Sequence, residues 1–190
     1  MTTKESTRTV LAKIVRERSV QVGTFTLASG RQSSYYIDAR RTTMSAEGLD
    51  LIGDLGLTSI REAGWEPSLV GGLTLGADPV AYAVARASRE SPPIVDAFTV
   101  RKEPKGHGAK RQIEGCFESG SKVVVVEDVV TTGQSAIKAV EAVSDAGGVI
   151  LAVLAVVDRE EGGRELVEGT GLPLLSLLSL SDLGLPPAES

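Results

Sequence analysis

The segment Val123–Ser135, V-V-V-V-E-D-V-V-T-T-G-Q-S, constrains the fold more than any other part of the chain. Four consecutive β-branched residues have the composition of a strand buried on both faces, as in a parallel sheet covered by helices on each side. Glu127 and Asp128 are expected to emerge where that strand ends. Val129 and Val130 lead into Thr131, Thr132, Gly133, Gln134 and Ser135, and A-I-K-A-V-E-A-V follows with helical spacing. Ligands of open α/β sheets sit outside the carboxyl ends of strands, where these polar residues fall. Hydroxyls and free backbone N–H groups at a helix start suit a phosphate. Two acids beside them suit the hydroxyls of a sugar, or a metal bound to it. A phosphorylated sugar fits best.

The rest of the chain repeats the strand–helix alternation. Residues 4–18 read as an amphipathic helix with Val10, Leu11, Ile14 and Val15 on one face. Phe25–Asp38 reads as two extended pieces around a Ser-Gly turn, and Ser45–Ala63 as a helix. Leu69–Gly71 starts a strand leading into the glycine-rich turn G-G-L-T-L-G-A-D, followed by a helix over Pro79–Ser88. Pro93–Val100 and Val149–Val157 are further strands, Gly147-Gly148 stops the helix between, and Leu172–Leu185 adds a last strand or short helix. Strands alternating with helices imply an α/β fold, a mostly parallel twisted sheet with right-handed crossovers. No repeat or linker divides the 190 residues, so a single domain over 1–190 is expected.

Composition narrows the function. A net charge of −5 argues against a general nucleic-acid binder. The longest apolar run, Val149–Val157, is too short to span a membrane, and the first twenty residues carry no signal-peptide core. Cys116 stands alone, which leaves neither a disulfide nor a cysteine-based zinc site within one chain and fits a cytoplasmic protein. Neither G-x-x-x-x-G-K-[ST] nor G-x-G-x-x-G occurs, so nucleoside-triphosphate and dinucleotide folds lose their usual support. Against the acidic background, Arg101–Arg111 (R-K-E-P-K-G-H-G-A-K-R) puts five cations and the only histidine, His107, into eleven residues. A basic stretch with Pro104 and glycines can close over a pyrophosphate and exclude water.

E-D-V-V-T-T-G-Q-S resembles the phosphoribosyl-pyrophosphate (PRPP) motif of the type I phosphoribosyltransferases. R-K-x-x-K-x-H-G, F-T-L-x-S-G-R-x-S-x-Y and the V-D-R-E at Val157–Glu160 are similar to the catalytic loop, amino-terminal signature and substrate arginine of the orotate phosphoribosyltransferases. The resemblance implies a Rossmann-like sheet with a small hood from about residues 1–40, a core over about 65–160, and a mobile loop at 101–115. It assigns PRPP binding to Glu127, Asp128, Val129, Val130, Thr131, Thr132, Gly133, Gln134 and Ser135, with Arg101, Lys102, Lys105 and His107 on the pyrophosphate. Those four cationic-loop residues and Asp128 would be catalytic. Tyr36, Thr131 and Arg159 would hold orotate, with Arg31 nearby. The chain departs from the commonest bacterial pattern at Ala28 and at Thr74-Leu75, where many members carry lysines.

The resemblance implies transfer of the phosphoribosyl group of PRPP to orotate, giving orotidine 5′-monophosphate and pyrophosphate in pyrimidine (UMP) synthesis. It further implies Mg²⁺ held mainly by substrate oxygens rather than a protein metal site, and a cytoplasmic homodimer with shared active sites. Two alternatives remain: a phosphoribosyltransferase for another nucleobase, and a non-catalytic regulator that senses PRPP. Arg159 and the Phe25–Asp38 signature speak against the first. The second would be expected to add a DNA-binding domain or a basic face.

Overall fold

The valine run forms a central strand within a computed structural model that describes residues 3–26, 32–103 and 112–186. In chain order the elements begin with α1 (Thr3–Ser19), β1 (Val20–Thr26), β2 (Gln32–Ile37), α2 (Arg40–Thr43), α3 (Ala46–Glu62), β3 (Leu69–Leu73) and α4 (Ala77–Glu90). There follow β4 (Asp96–Val100), β5 (Ile113–Gly115), β6 (Lys122–Val130), α5 (Gln134–Asp145), β7 (Val149–Asp158), α6 (Gly163–Glu168) and β8 (Leu174–Ser179).

Six strands form one sheet in the order β5-β4-β3-β6-β7-β8. All its pairings are parallel except that of β5, which runs antiparallel to β4 at the edge. Side chains of a strand alternate between faces, so the run of valines feeds two cores at once. Val124 and Val126 pack with Leu154 and Val156 against Leu11 and Val15 of α1, Ile52 and Ile60 of α3, and Val80 and Val84 of α4. Val123 and Val125 pack with Val153 and Ala155 against Ala136, Ala139 and Val143 of α5 and Val167 of α6. All four valines are fully buried. The expected α/β architecture, a mostly parallel sheet flanked by helices, is therefore present.

β1 and β2 form a separate antiparallel hairpin, with Val20 opposite Ile37 and Gln21 opposite Tyr36. Ala28, Ser29, Gly30 and Arg31, the expected turn between them, lie outside the described residues.

Several boundaries differ from the sequence expectation. β6 does not stop at Val126 but continues through Glu127 and Asp128 to Val130, because β7 extends equally far and pairs Glu127 with Ala155 and Val130 with Asp158. A backbone ladder is indifferent to the charge of the side chains it carries. β4 starts at Asp96, beyond Pro92 and Pro93, which lack the N–H a ladder needs. The hydrophilic stretch 101–115 ends in a strand, β5, and α2 and α6 are too short to leave an apolar period. The leucine-rich tail contributes β8.

Gly71 and Gly72, expected in a turn, are buried inside β3. A Cβ on Gly72 would stand 2.2 Å from the carbonyl oxygen of Val126 and 2.8 Å from Cβ of Ala77. Backbone and a helix start thus close on this position, and neither can yield as a side chain would. Gly72→Ala is expected to lower stability by about 2–4 kcal/mol, a fall in Tm of roughly 5–10 °C for a chain of this size. A thermal melt within about 1 °C of the unaltered protein would show that the packing relaxes freely.

Candidate active site

The carboxyl ends of β3, β6 and β7 open into a cleft of about 340 Å³. Tyr36, Ile37 and Asp38 reach it from the end of β2, and Arg40 from the start of α2. Thr74, Leu75 and Gly76 line it after β3, Lys102 after β4, and Arg159 after β7. Glu127, Asp128, Val129 and Thr131 come from the end of β6 and the turn beyond it, and Ser135 from the first turn of α5.

The two acids differ in setting. Glu127 is 5% exposed and its Oε1 has no hydrogen-bond partner among the described residues. Burial, reinforced by the neighbouring Asp128 charge, pushes its carboxyl up to about 8. Asp128 is also pushed above the usual carboxylate range by burial, opposed by the Val129 N–H that donates to its Oδ1 at 2.9 Å and by the Arg40 charge. Its carboxylate lies against the turn after β3: a Cβ on Gly76 would stand 2.4 Å from Asp128 Oδ1, so a side chain there would displace the carboxylate. That turn carries a cis peptide between Thr74 and Leu75. It is braced by Thr74 Oγ1 donating to Asp78 Oδ2 at 2.6 Å, while Thr99 Oγ1 donates to Asp78 Oδ1 at 2.9 Å. The Thr74 hydroxyl therefore serves the turn rather than facing a ligand.

The hydroxyl-rich turn leads straight into α5, whose N-cap is Gly133, so Gln134 and Ser135 already belong to the helix. Thr131 and Ser135 line the cleft, and Thr132 and Gln134 are exposed. The helix start thus presents free N–H groups and hydroxyls together. Val130 is different. Its side chain is in the core, and its carbonyl accepts the Arg159 N–H at 2.9 Å, which ties the turn carrying Arg159 to β6.

β2 alternates strictly at its end, burying Tyr35 and Ile37 and presenting Tyr36 to the cleft. The Tyr36 ring packs at 5.8 Å, tilted, on Phe25 of β1. Arg159 is buried at 5% exposure, yet lines the cleft. Among the described residues its Nε makes no hydrogen bond, and its Nη2 stands 2.6 Å from Oε1 of Glu161 as an ion pair.

Of the residues singled out from the sequence, Tyr36, Lys102, Glu127, Asp128, Val129, Thr131, Ser135 and Arg159 meet in one cleft. Arg101 is held at its edge by Glu114, Nε to Oε1 at 3.0 Å, and does not line it. Lys105 and His107 lie outside the described residues. Sequence reasoning missed Asp38 and Arg40, which line the cleft and pair with each other, Nε to Oδ1 at 2.7 Å. The D-A-R that follows Tyr36-Ile37 was the available signal, since it leads directly out of a strand expected to carry a ligand-binding aromatic.

Residues 45–169 match the family model of the phosphoribosyl transferase domain. The orotate phosphoribosyltransferase of Aquifex aeolicus is 50% identical over 179 residues, 93% of this chain and 97% of that protein. The chain is also similar to the crystal structure of Mycobacterium tuberculosis H37Rv orotate phosphoribosyltransferase in complex with Fe(III) dicitrate, at 49% identity and a TM-score of 0.85. That match covers 94% of this chain and 99% of the other. For the Mycobacterium tuberculosis structure in complex with 5-phospho-alpha-D-ribosyl 1-diphosphate (PRPP), the identity is 42% and the TM-score 0.78, over 94% of this chain and 92% of the other.

The raised Glu127 carboxyl has a consequence for stability. Between about 4.5 and about 8 the folded state keeps a proton that the unfolded chain has released, so stability falls as pH rises through that window and levels off above it. Glu127→Gln removes this dependence. Its melting temperature is expected to exceed that of the unaltered protein by about 5 °C or more at pH 9 and by much less at pH 5. A difference that stays constant across that range would separate Glu127 from the effect.

Proposed function

The chain belongs to the orotate phosphoribosyltransferase family, and on that premise we propose that it transfers the phosphoribosyl group of PRPP to orotate, giving orotidine 5′-monophosphate and pyrophosphate. The observation that carries this reading is the single cleft in which an anion-binding helix start, two acids, an exposed tyrosine and a buried, unsaturated arginine converge. Each feature suits one part of the two substrates.

Thr131 and Ser135, with the N–H groups of the α5 start, suit the 5′-phosphate; Thr132, Gly133 and Gln134 complete that turn. Glu127 and Asp128 suit the ribose hydroxyls: the orphaned Oε1 of Glu127 is an acceptor awaiting a donor. Tyr36 offers a face for the pyrimidine ring. The Nε–Nη2 edge of Arg159, whose Nε makes no hydrogen bond among the described residues, has the fork shape that matches a carboxylate, the group that separates orotate from other pyrimidines. An alternative base without that carboxylate would leave the fork buried and unpaired. A non-catalytic PRPP sensor would have no use for it.

Reaction at the anomeric carbon needs no protein nucleophile. Orotate's ring nitrogen attacks, pyrophosphate leaves, and the protein contributes position and electrostatic stabilisation of an oxocarbenium-like transition state. Lys102 stands at the cleft for the departing charge. Arg101, Lys105 and His107 are proposed to add to it, with His107 or Lys105 as proton donor. Among the described residues no cluster of three or more metal-binding side chains could cage an ion. The acids fit instead a Mg²⁺ that arrives on substrate oxygens, with Asp128 the protein group best placed to touch it, and such an ion would screen the pyrophosphate charge. We further propose one phosphoribosyltransferase domain acting in the cytoplasm as a homodimer, the basic loop serving the partner's site. No helix among the described residues is long and apolar enough to cross a membrane.

Purified protein supplied with PRPP, Mg²⁺ and orotate is expected to form orotidine 5′-monophosphate, followed by the loss of orotate absorbance, and to leave adenine, hypoxanthine and uracil unconverted. Turnover of one of those bases but not of orotate would overturn the reading. Arg159→Lys, which keeps the charge and loses the fork, is expected to lower kcat/KM for orotate about 100-fold. His107→Ala is expected to lower kcat far more than it weakens orotate binding. An unchanged kcat would remove His107 from the mechanism.

A further inference from the structure

Arg159 is the most constrained cation of the cleft, and the groups that constrain it have no role in the chemistry above. Its guanidinium carbon lies 5.3 Å from the centre of the Tyr35 ring, at cation–π distance. Its Nη2 stands 2.6 Å from Oε1 of Glu161, and the two side chains are 6% and 4% exposed. This contact is an ion pair by distance. The backbone between them is turned by Glu160, at φ 54°, whose N–H donates to Asp158 Oδ1 at 2.9 Å. Asp158 in turn is held by Arg164, Nε to Oδ2 at 3.1 Å, and the Arg159 N–H by Val130.

We propose that Glu161 and Tyr35 are positioning residues that fix the Arg159 guanidinium for the carboxylate of the incoming base, and so determine the substrate preference of the site. The inference rests on the activity proposed above. A guanidinium taken out of water needs a nearby countercharge, or it moves toward another acceptor. Glu161 supplies that charge from inside the protein, at Nη2, and leaves Nε without a hydrogen bond among the described residues. The Tyr35 face limits rotation of the guanidinium plane. The cation is therefore compensated and oriented before substrate arrives, and the remaining donors select by geometry. A base bearing a carboxylate in the ring plane satisfies them, and one without it leaves the buried Nε donor unpaired.

Tyr35 and Tyr36 thus divide the work of adjacent positions on β2. Strand alternation sends the first inward beneath Arg159 and the second outward to the cleft. The same hairpin would then hold both the ring face and, through Arg159, the carboxylate of one ligand.

Steady-state kinetics of the full-length protein carrying Glu161→Gln, Glu161→Asp or Tyr35→Leu test the proposal. Glu161→Gln is expected to raise the KM for orotate about tenfold, leaving kcat and the KM for PRPP within about twofold. Glu161→Asp should recover most of that loss, because the charge is kept. Tyr35→Leu should show the same selective rise, and it carries the test if Glu161→Gln fails to fold. Equal changes for both substrates, or none, would reduce both residues to ordinary structural support and overturn the proposal. A lower KM for orotate in Glu161→Gln would also overturn it, making Glu161 a competitor for the guanidinium. If the unaltered protein does not turn over orotate, the activity itself falls and the positioning with it. Turnover by the unaltered protein with unselective variants rejects the positioning alone.

Discussion

The pairing of β6 with β3 on one side and β7 on the other is the constraint from which the cleft follows. It places Val123–Val126 under helices on both faces, at zero exposure, so the middle of the strand can carry nothing but apolar side chains. Polarity becomes possible only where the helical layers fall away, at the carboxyl end. There the ladder to β7 persists through Val130 and holds Glu127 and Asp128 on a rigid backbone rather than on a loop. A site mounted on strand geometry is held more closely than one on a connection. The energetic cost is visible in Glu127, whose carboxyl is pushed up by the same burial that fixes its place.

Legibility in the sequence tracks the range of the interaction concerned. The valine run, the Thr-Thr-Gly turn and the start of the following helix are local patterns, and the alternating strands and helices imply the sheet that is observed. Tyr36 and Arg159 could be named through the family resemblance of their motifs, whereas their position on a strand alone would not have singled them out. The pairing of Arg159 with Tyr35 was not legible, since 124 positions separate them and a buried tyrosine on β2 looks like any core aromatic. Gly76 against Asp128 was hidden in the same way, as a fit between two chain segments rather than a property of either. The continuation of β6 past its acids was missed for another reason. Charge was read as the end of a strand, whereas pairing depends on the backbone of the neighbour.

The cleft also explains why a basic segment is attached where it is. Three acids (Asp38, Glu127, Asp128) and three cations (Arg40, Lys102, Arg159) among the described residues line it, and the proton that Glu127 keeps leaves a small positive excess. Two of the cations are already engaged, Arg40 by Asp38 and Arg159 by Glu161. A polyanion with a pyrophosphate therefore meets little uncompensated positive charge in the described part of the site, and further cations must come from beside it. The antiparallel pairing of β5 with β4 supplies the place. Arg101 N–H donates to Gln112 O at 2.8 Å, and the Gln112 side chain donates back to Arg101 O at 3.1 Å. The chain thus leaves the sheet at Lys102, on the cleft wall, and returns beside its point of departure. Lys105, His107, Lys110 and Arg111 belong to the sequence between these two anchors. The short edge strand, which no apolar period announced, fixes both anchors, Arg101 and Gln112, beside Lys102 on the cleft wall.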